Sequence, residues 1–271
     1  MSLISGKLIL IALLLLVVTV VETLAYSTRL SGARVRLMAT AISLFSTMVI
    51  ISRFSTMFQQ PLTAKLIADA PLLHKTLFIE NQYRLLIGAV TLGVMLGILL
   101  FPTFIGVFSR AITQLSAERG SIPLLFIKWC NLKGLKSFRR CLRLPHLRDL
   151  KGITYRTIPK RLFVVNVAIT SIYTVGVLSS LYASLLVPSN YAQTAVMSSG
   201  VINGLATILL TLFIDPQASV LADRVVKKES KYIYLKSYSL TMISSKLVGT
   251  VVAQVIFIPA AYYVAWFSRL L

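Results

Sequence analysis

Apolar runs about twenty residues long alternate along this chain with shorter polar or basic stretches. About twenty apolar residues cross the hydrocarbon core of a bilayer as a helix. Six stretches meet that length: Leu8–Ser27, Leu37–Met57, Leu85–Phe108, Leu162–Val187, Tyr191–Ile214 and Leu247–Phe267. The pattern predicts an all-α, polytopic integral membrane protein with about six transmembrane helices, built as a single membrane domain over residues 1–271. Lys7 ahead of an apolar core imitates a signal peptide, but the run is too long for one, so a retained span is expected.

Polar residues inside the spans recur at helical spacing. Thr19, Glu22, Thr23 and Tyr26 share one face of span one. Asn166, Thr170, Tyr173, Ser180 and Ser184 form a stripe on span four. Ser199, Asn203, Thr207 and Thr211 lie on span five, and Lys246, Thr250 and Gln254 at span six. One such stripe is ordinary helix-packing glue. Four of them, with charges among them, point to a polar cavity. Glu22 is the sharpest signal, because a carboxylate at membrane depth is expensive and marks paths for ions or substrates. Arg53 lies in span two, and its depth differs from that of Glu22 by on the order of 10 Å. It either snorkels to head groups or holds an anionic ligand in the cavity. The GxxxG of Gly93 and Gly97 predicts a close helix contact. Asp215 before Pro216 reads as the N-cap of a new helix.

Charge then sets the orientation. The segment after span one carries three basic residues, Arg29, Arg34 and Arg36. Residues 109–161 carry thirteen and residues 215–246 six, so these alternate segments hold 22 of the 28 Lys and Arg. The positive-inside rule places them in the cytoplasm and both termini on the extracytoplasmic side. Residues 58–84 become an external interfacial segment. Within the basic cytoplasmic loop, residues 120–152 mix Trp129 and aliphatic residues with lysine and arginine, as an interfacial helix on anionic lipids would.

Composition agrees and narrows the function. The chain is 56% hydrophobic and 13% charged, with a net charge of +20. Because that charge follows topology, no nucleic acid partner is expected. Cys130 and Cys141 form neither a disulfide framework nor a zinc spacing. His74 and His146 fall on opposite sides of the membrane. No nucleotide loop, HExxH motif or acidic metal cluster is present, so no catalytic constellation, metal or cofactor is expected.

The segment ETLAYSTRLSGARVRLMATAISLFSTMVIISRFSTMFQQP, Glu22 to Pro61, resembles the N-terminal signature of the Amj family of bacterial alternate lipid II flippases. The six-span layout, the basic loops and the Asp215–Pro216 step are similar too. The resemblance implies transport of undecaprenyl-diphosphate-linked disaccharide-pentapeptide across the bacterial cytoplasmic membrane for peptidoglycan synthesis. It supplies no list of functional residues. From the chemistry, the substrate-binding candidates are Arg29, Arg53, Glu22, Asn166, Asn203 and Gln254. Cationic groups suit the diphosphate, amides suit the sugars, and Glu22 suits a switch between them. Membrane lipids are expected neighbours and a homodimer is an open arrangement. Transport of another polyprenyl phosphate or of a small solute, and a non-transporting scaffold for envelope synthesis, are the competing readings. The scaffold reading would work through the basic loop and leave Glu22 and Arg53 replaceable.

Overall fold

The computed structural model describes residues 4–71, 73–118, 120, 143, 145 and 159–270. The interfacial helix expected within residues 120–152, together with Cys130, Cys141 and His146, lies outside them. The described residues form helices and no strand. In chain order these are α1 (Gly6–Val35), α2 (Met38–Ala68), α3 (Lys75–Ala117), α4 (Lys160–Ala183), α5 (Ser189–Leu209), a π-helical turn (Leu210–Ile214), α6 (Asp215–Val226) and α7 (Tyr232–Phe267). Six helical segments are long and apolar enough to cross a membrane, with α5, the π turn and α6 making one continuous segment. The outward faces carry Leu13, Phe54, Leu92, Met197 and Val255 in the open. In water such a surface would drive aggregation, and in lipid it is the solvated face. The chain is a multi-pass membrane protein.

Local chemistry fixes the helix ends. Ser5 caps α1, its hydroxyl accepting from the Leu8 N–H. At the other end Arg36 takes a left-handed conformation, φ 59°, and the Gly32 carbonyl accepts from the N–H of both Arg36 and Leu37. The missing side chain of Gly32 lets α2 turn back closely, since a Cβ there would lie 2.3 Å from that of Ala41.

Several helices outrun their apolar cores. α3 has 43 residues, far more than the hydrocarbon requires. Residues 58–68 prolong α2 and residues 75–84 open α3, so the segment between spans two and three is largely helix belonging to the spans themselves. α7 begins at Tyr232, fifteen residues ahead of the apolar run. The polar stretch there is helix all the same, with its hydroxyls satisfied by the helix's own carbonyls, Thr241 donating to Ser237 and Ser245 to Met242.

The packing divides into two similar halves. α1 lies against both α3 and α2, most extensively against α3, while α2 and α3 touch little. α4 likewise lies against both α7 and α5, most extensively against α7, while α5 and α7 touch little. The close contact expected of Gly93 and Gly97 is with α1. A Cβ at Gly93 would stand 2.7 Å from the Leu16 carbonyl, and one at Gly97 2.6 Å from the Thr23 Cβ.

Candidate functional site

Between the halves lies a cavity with an open mouth. α1, α2, α4, α5 and α7 supply its walls, and Val90 of α3 stands at the back. Helical spacing accounts for what faces it. Thr19, Glu22 and Tyr26 come from one face of α1, and Thr170, Tyr173 and Val177 from one face of α4. α2 contributes Phe45, Val49, Arg53, Thr56 and Gln60 from the α1–α2 turn outward.

Three charged side chains line this space. Lys246 Nζ donates to Glu22 Oε2 at 2.8 Å. These two side chains are only 11% and 19% exposed, so each charge answers the other in a site largely stripped of water. Arg53 is placed differently. It donates to the Thr207 hydroxyl across the cavity, and its guanidinium stands 5.9 Å from the Tyr173 ring centroid. No carboxylate among the described residues pairs with it. The lining therefore carries one negative and two positive groups and keeps one positive charge unbalanced.

Buried side chains stand at both ends of the cavity. Tyr26, Phe45, Ile169 and Leu210 form a floor on the side of the α1–α2 turn. One helical turn past Tyr26, Arg29 Nη2 donates to Asp215 Oδ1 at 2.7 Å, with its guanidinium 4.1 Å from the Phe45 ring centroid. The Arg29 side chain is 3% exposed. The opposite end is lined by Gln59, Gln60, Thr63 and Leu178. Across its front, α2 and α5 approach closely almost nowhere among the described residues. They are joined by Arg53 to Thr207 and by Gln60 Nε2 donating to Ser199 Oγ at 2.7 Å. Exposed apolar side chains flank that seam, Ile50, Phe54 and Met57 on α2 and Met197, Val201 and Leu205 on α5.

The six residues singled out in the sequence separate into two groups. Glu22 and Arg53 line the cavity, facing it from different helices and not bonded to each other. Arg29 lies beneath the floor, closed off by Asp215. Asn166 is buried between α4 and α7, donating to the Met242 carbonyl and the Ser245 hydroxyl. Asn203 packs into α4, so close to Gly176 that a Cβ there would meet its Oδ1 at 2.3 Å. Gln254 clamps α7 to α3, donating to the Arg84 carbonyl at 2.9 Å while Arg84 Nη1 donates back to the Gln254 carbonyl. Asn166 and Gln254 bond helices together, Asn203 packs against α4 with its Oδ1 unbonded, and none of the three lines the cavity.

Two charged residues take on more than the sequence assigned them. Lys246, counted with the loop lysines and also on the polar stripe at span six, sits inside α7 and pairs with Glu22. Asp215 is not a helix cap. α5 runs through the π turn into α6 without a break, no side chain caps that junction, and the Asp215 carboxylate turns to Arg29. For Lys246 the available signal was Glu22, an in-span charge needing a partner, whereas Arg29, placed beyond span one, gave none for Asp215.

Comparison with known proteins agrees with this architecture. The family described as Amj, alternate to MurJ, matches residues 14–268. The chain is 51% identical over 269 residues to the lipid II flippase Amj of Bacillus subtilis (strain 168), covering 99% of each chain. No solved structure matches. A match of that length, carried by the whole six-span body and not by one motif, places this chain in the Amj family.

Proposed function

We propose that this protein is a transporter and not an enzyme, and that it moves lipid II, the undecaprenyl-diphosphate-linked disaccharide-pentapeptide, from the inner to the outer leaflet of the bacterial cytoplasmic membrane. The observation that carries this reading is Arg53, a guanidinium without a carboxylate in a polar cavity whose front seam faces lipid. An anionic head group cannot cross hydrocarbon unless its charge is met on the way. A guanidinium meets phosphate oxygens with paired, charge-assisted hydrogen bonds. Thr19, Thr56, Thr170 and Thr174 offer hydroxyls to a sugar, and Gln59 an amide. The seam between α2 and α5 lets the prenyl chain stay in the bilayer while the head group occupies the cavity. The close relative named for lipid II transport supports the same substrate.

In this reading the basic segments face the cytoplasm and both termini face outward. The α1–α2 turn and the Arg29–Asp215 pair are then cytoplasmic, and the end of the cavity at Gln60 and Thr63 points outward. The test is lipid II exposure in cells with no other flippase. On depletion of this protein, lipid II is expected to accumulate and to become protected from a lipid II-cleaving enzyme added outside. Undiminished cleavage would overturn the proposal and favour the scaffold reading.

A further inference from the structure

The charges that line the cavity do not balance those of a diphosphate. Glu22 of α1, Arg53 of α2 and Lys246 of α7 are its charged lining. Two further titratable groups face it, Tyr26 and Tyr173, and a phenol is neutral near neutral pH. α3 presents Val90, and α5 presents Ala206 and Thr207, none of which titrates. Asp215 of α6 lies beneath the floor, bonded to Arg29. On α3, Glu80 and Arg84 bond each other. The lining therefore sums to a single positive charge. A diphosphate esterified at both ends brings one negative charge on each phosphate. Its arrival overshoots neutrality by one negative charge, where Glu22 and Lys246 are already largely out of water.

The Glu22–Lys246 bond is where that excess can be met. α1 and α7 touch over only a short stretch, and both partners reach the cavity. A pair that served only to join helices would be enclosed between them. Lys246 Nζ bonds Glu22 and no other acceptor among the described residues, although an ammonium has three N–H groups to give. Phosphate oxygens compete with a carboxylate for such a donor. Once they have drawn it off, Glu22 faces the diphosphate as a like charge. It is also the one lining group with room for a proton, since Arg53, Lys246 and the two phenols already hold theirs.

We infer that Lys246 is a second ligand of the diphosphate beside Arg53, handed over from Glu22, and that Glu22 takes a proton from water as it lets go. The Lys246 N–H bond to Glu22 Oε2 breaks, an N–H bond to a phosphate oxygen forms, and the proton settles on the Glu22 carboxylate. The loaded site is then neutral, with two cations facing two phosphate charges and a neutral acid beside them. Release of the head group reverses each change and returns the proton. Entry of one head group is thus coupled to uptake of one proton. The inference rests on the lipid II reading, and its test separates the two.

The detergent-purified protein is titrated calorimetrically with lipid II of shortened prenyl chain, near neutral pH, in two buffers that differ in ionisation enthalpy. The difference in heat counts the protons taken up per molecule bound. About one is expected, and the affinity should fall about tenfold per pH unit wherever that uptake holds. Glu22→Gln should bind with no uptake and with an affinity flat across pH. Glu22→Gln combined with Lys246→Met removes both members of the pair and keeps the fold. It should also take up no proton and should bind about tenfold or more weakly than Glu22→Gln alone. Binding by the parent without proton uptake would overturn the inference and leave the lipid II reading in place. Uptake that persists in either variant would overturn it too, because the proton would belong to another group. So would equal affinity in the single and double variants, which would remove Lys246 as a ligand. Failure of the parent to bind at any pH would remove the lipid II reading and the inference with it.

Discussion

Replacing Lys246 by methionine strands the Glu22 carboxylate in a cavity wall with no cation bonded to it. At 2.8 Å the pair's attraction is about 6 kcal/mol for an effective dielectric of about 20. Bringing both groups out of water cancels most of that gain, so the pair as a whole adds little to stability. Removing one partner is another matter, because the desolvation cost of the survivor remains without its compensation. Orphaned buried charges cost about 3–5 kcal/mol, and the low end applies here because both groups border the cavity. Lys246→Met and Glu22→Gln are each expected to destabilise by about 3 kcal/mol. The double variant should lie within about 1 kcal/mol of the parent. The assay is thermal unfolding of the detergent-purified protein, in which 1 kcal/mol corresponds to about 2–4 °C in a chain of this size. Each single variant should therefore lose about 6–12 °C and the double no more than about 4 °C. Single losses that simply add in the double variant would refute the pairing.

Three other outcomes follow from the geometry. Arg53→Ala should abolish lipid II export in cells that depend on this protein, and Arg53→Lys should restore it only in part because an ammonium lacks the planar fork; export at parental level in Arg53→Ala cells would remove Arg53 from the path. Gly249→Ala drives a Cβ against Thr170 and the Val167 carbonyl and should cost about 1–3 kcal/mol, whereas Gly204→Ala meets nothing within 4 Å and should stay within about 0.5 kcal/mol in the same unfolding assay. Asn166→Leu removes both of its bonds to α7 and should lower stability by about 1 kcal/mol while sparing transport, since the residue does not line the cavity.

Hydropathy made the six spans legible because lipid demands apolar length. It did not mark where they end. Beyond the hydrocarbon a helix continues on other grounds, as at Tyr232, where hydroxyl groups that look like loop chemistry are satisfied by their own helix. The in-span polar residues were equally visible, but their roles were not. Thr170 and Asn166 lie on the same stripe of α4, yet one faces the cavity and the other bonds α7. Which neighbour a polar face meets depends on helix order, and periodicity along one helix carries no trace of it. The ion pairs show the same limit. Lys246 lies 224 residues from Glu22, and Asp215 lies 186 from Arg29.

The most direct test of passage through this cavity is capture of the substrate within it. A photo-crosslinking residue is placed at Val49 or Thr174, which line the cavity, or at Val255, which is 74% exposed on the outer face of α7. The cells carry radiolabelled peptidoglycan precursor and are irradiated during growth. The account predicts labelled lipid II bound at Val49 and Thr174 and little at Val255. Equal capture at all three positions, or capture at Val255 alone, would contradict it.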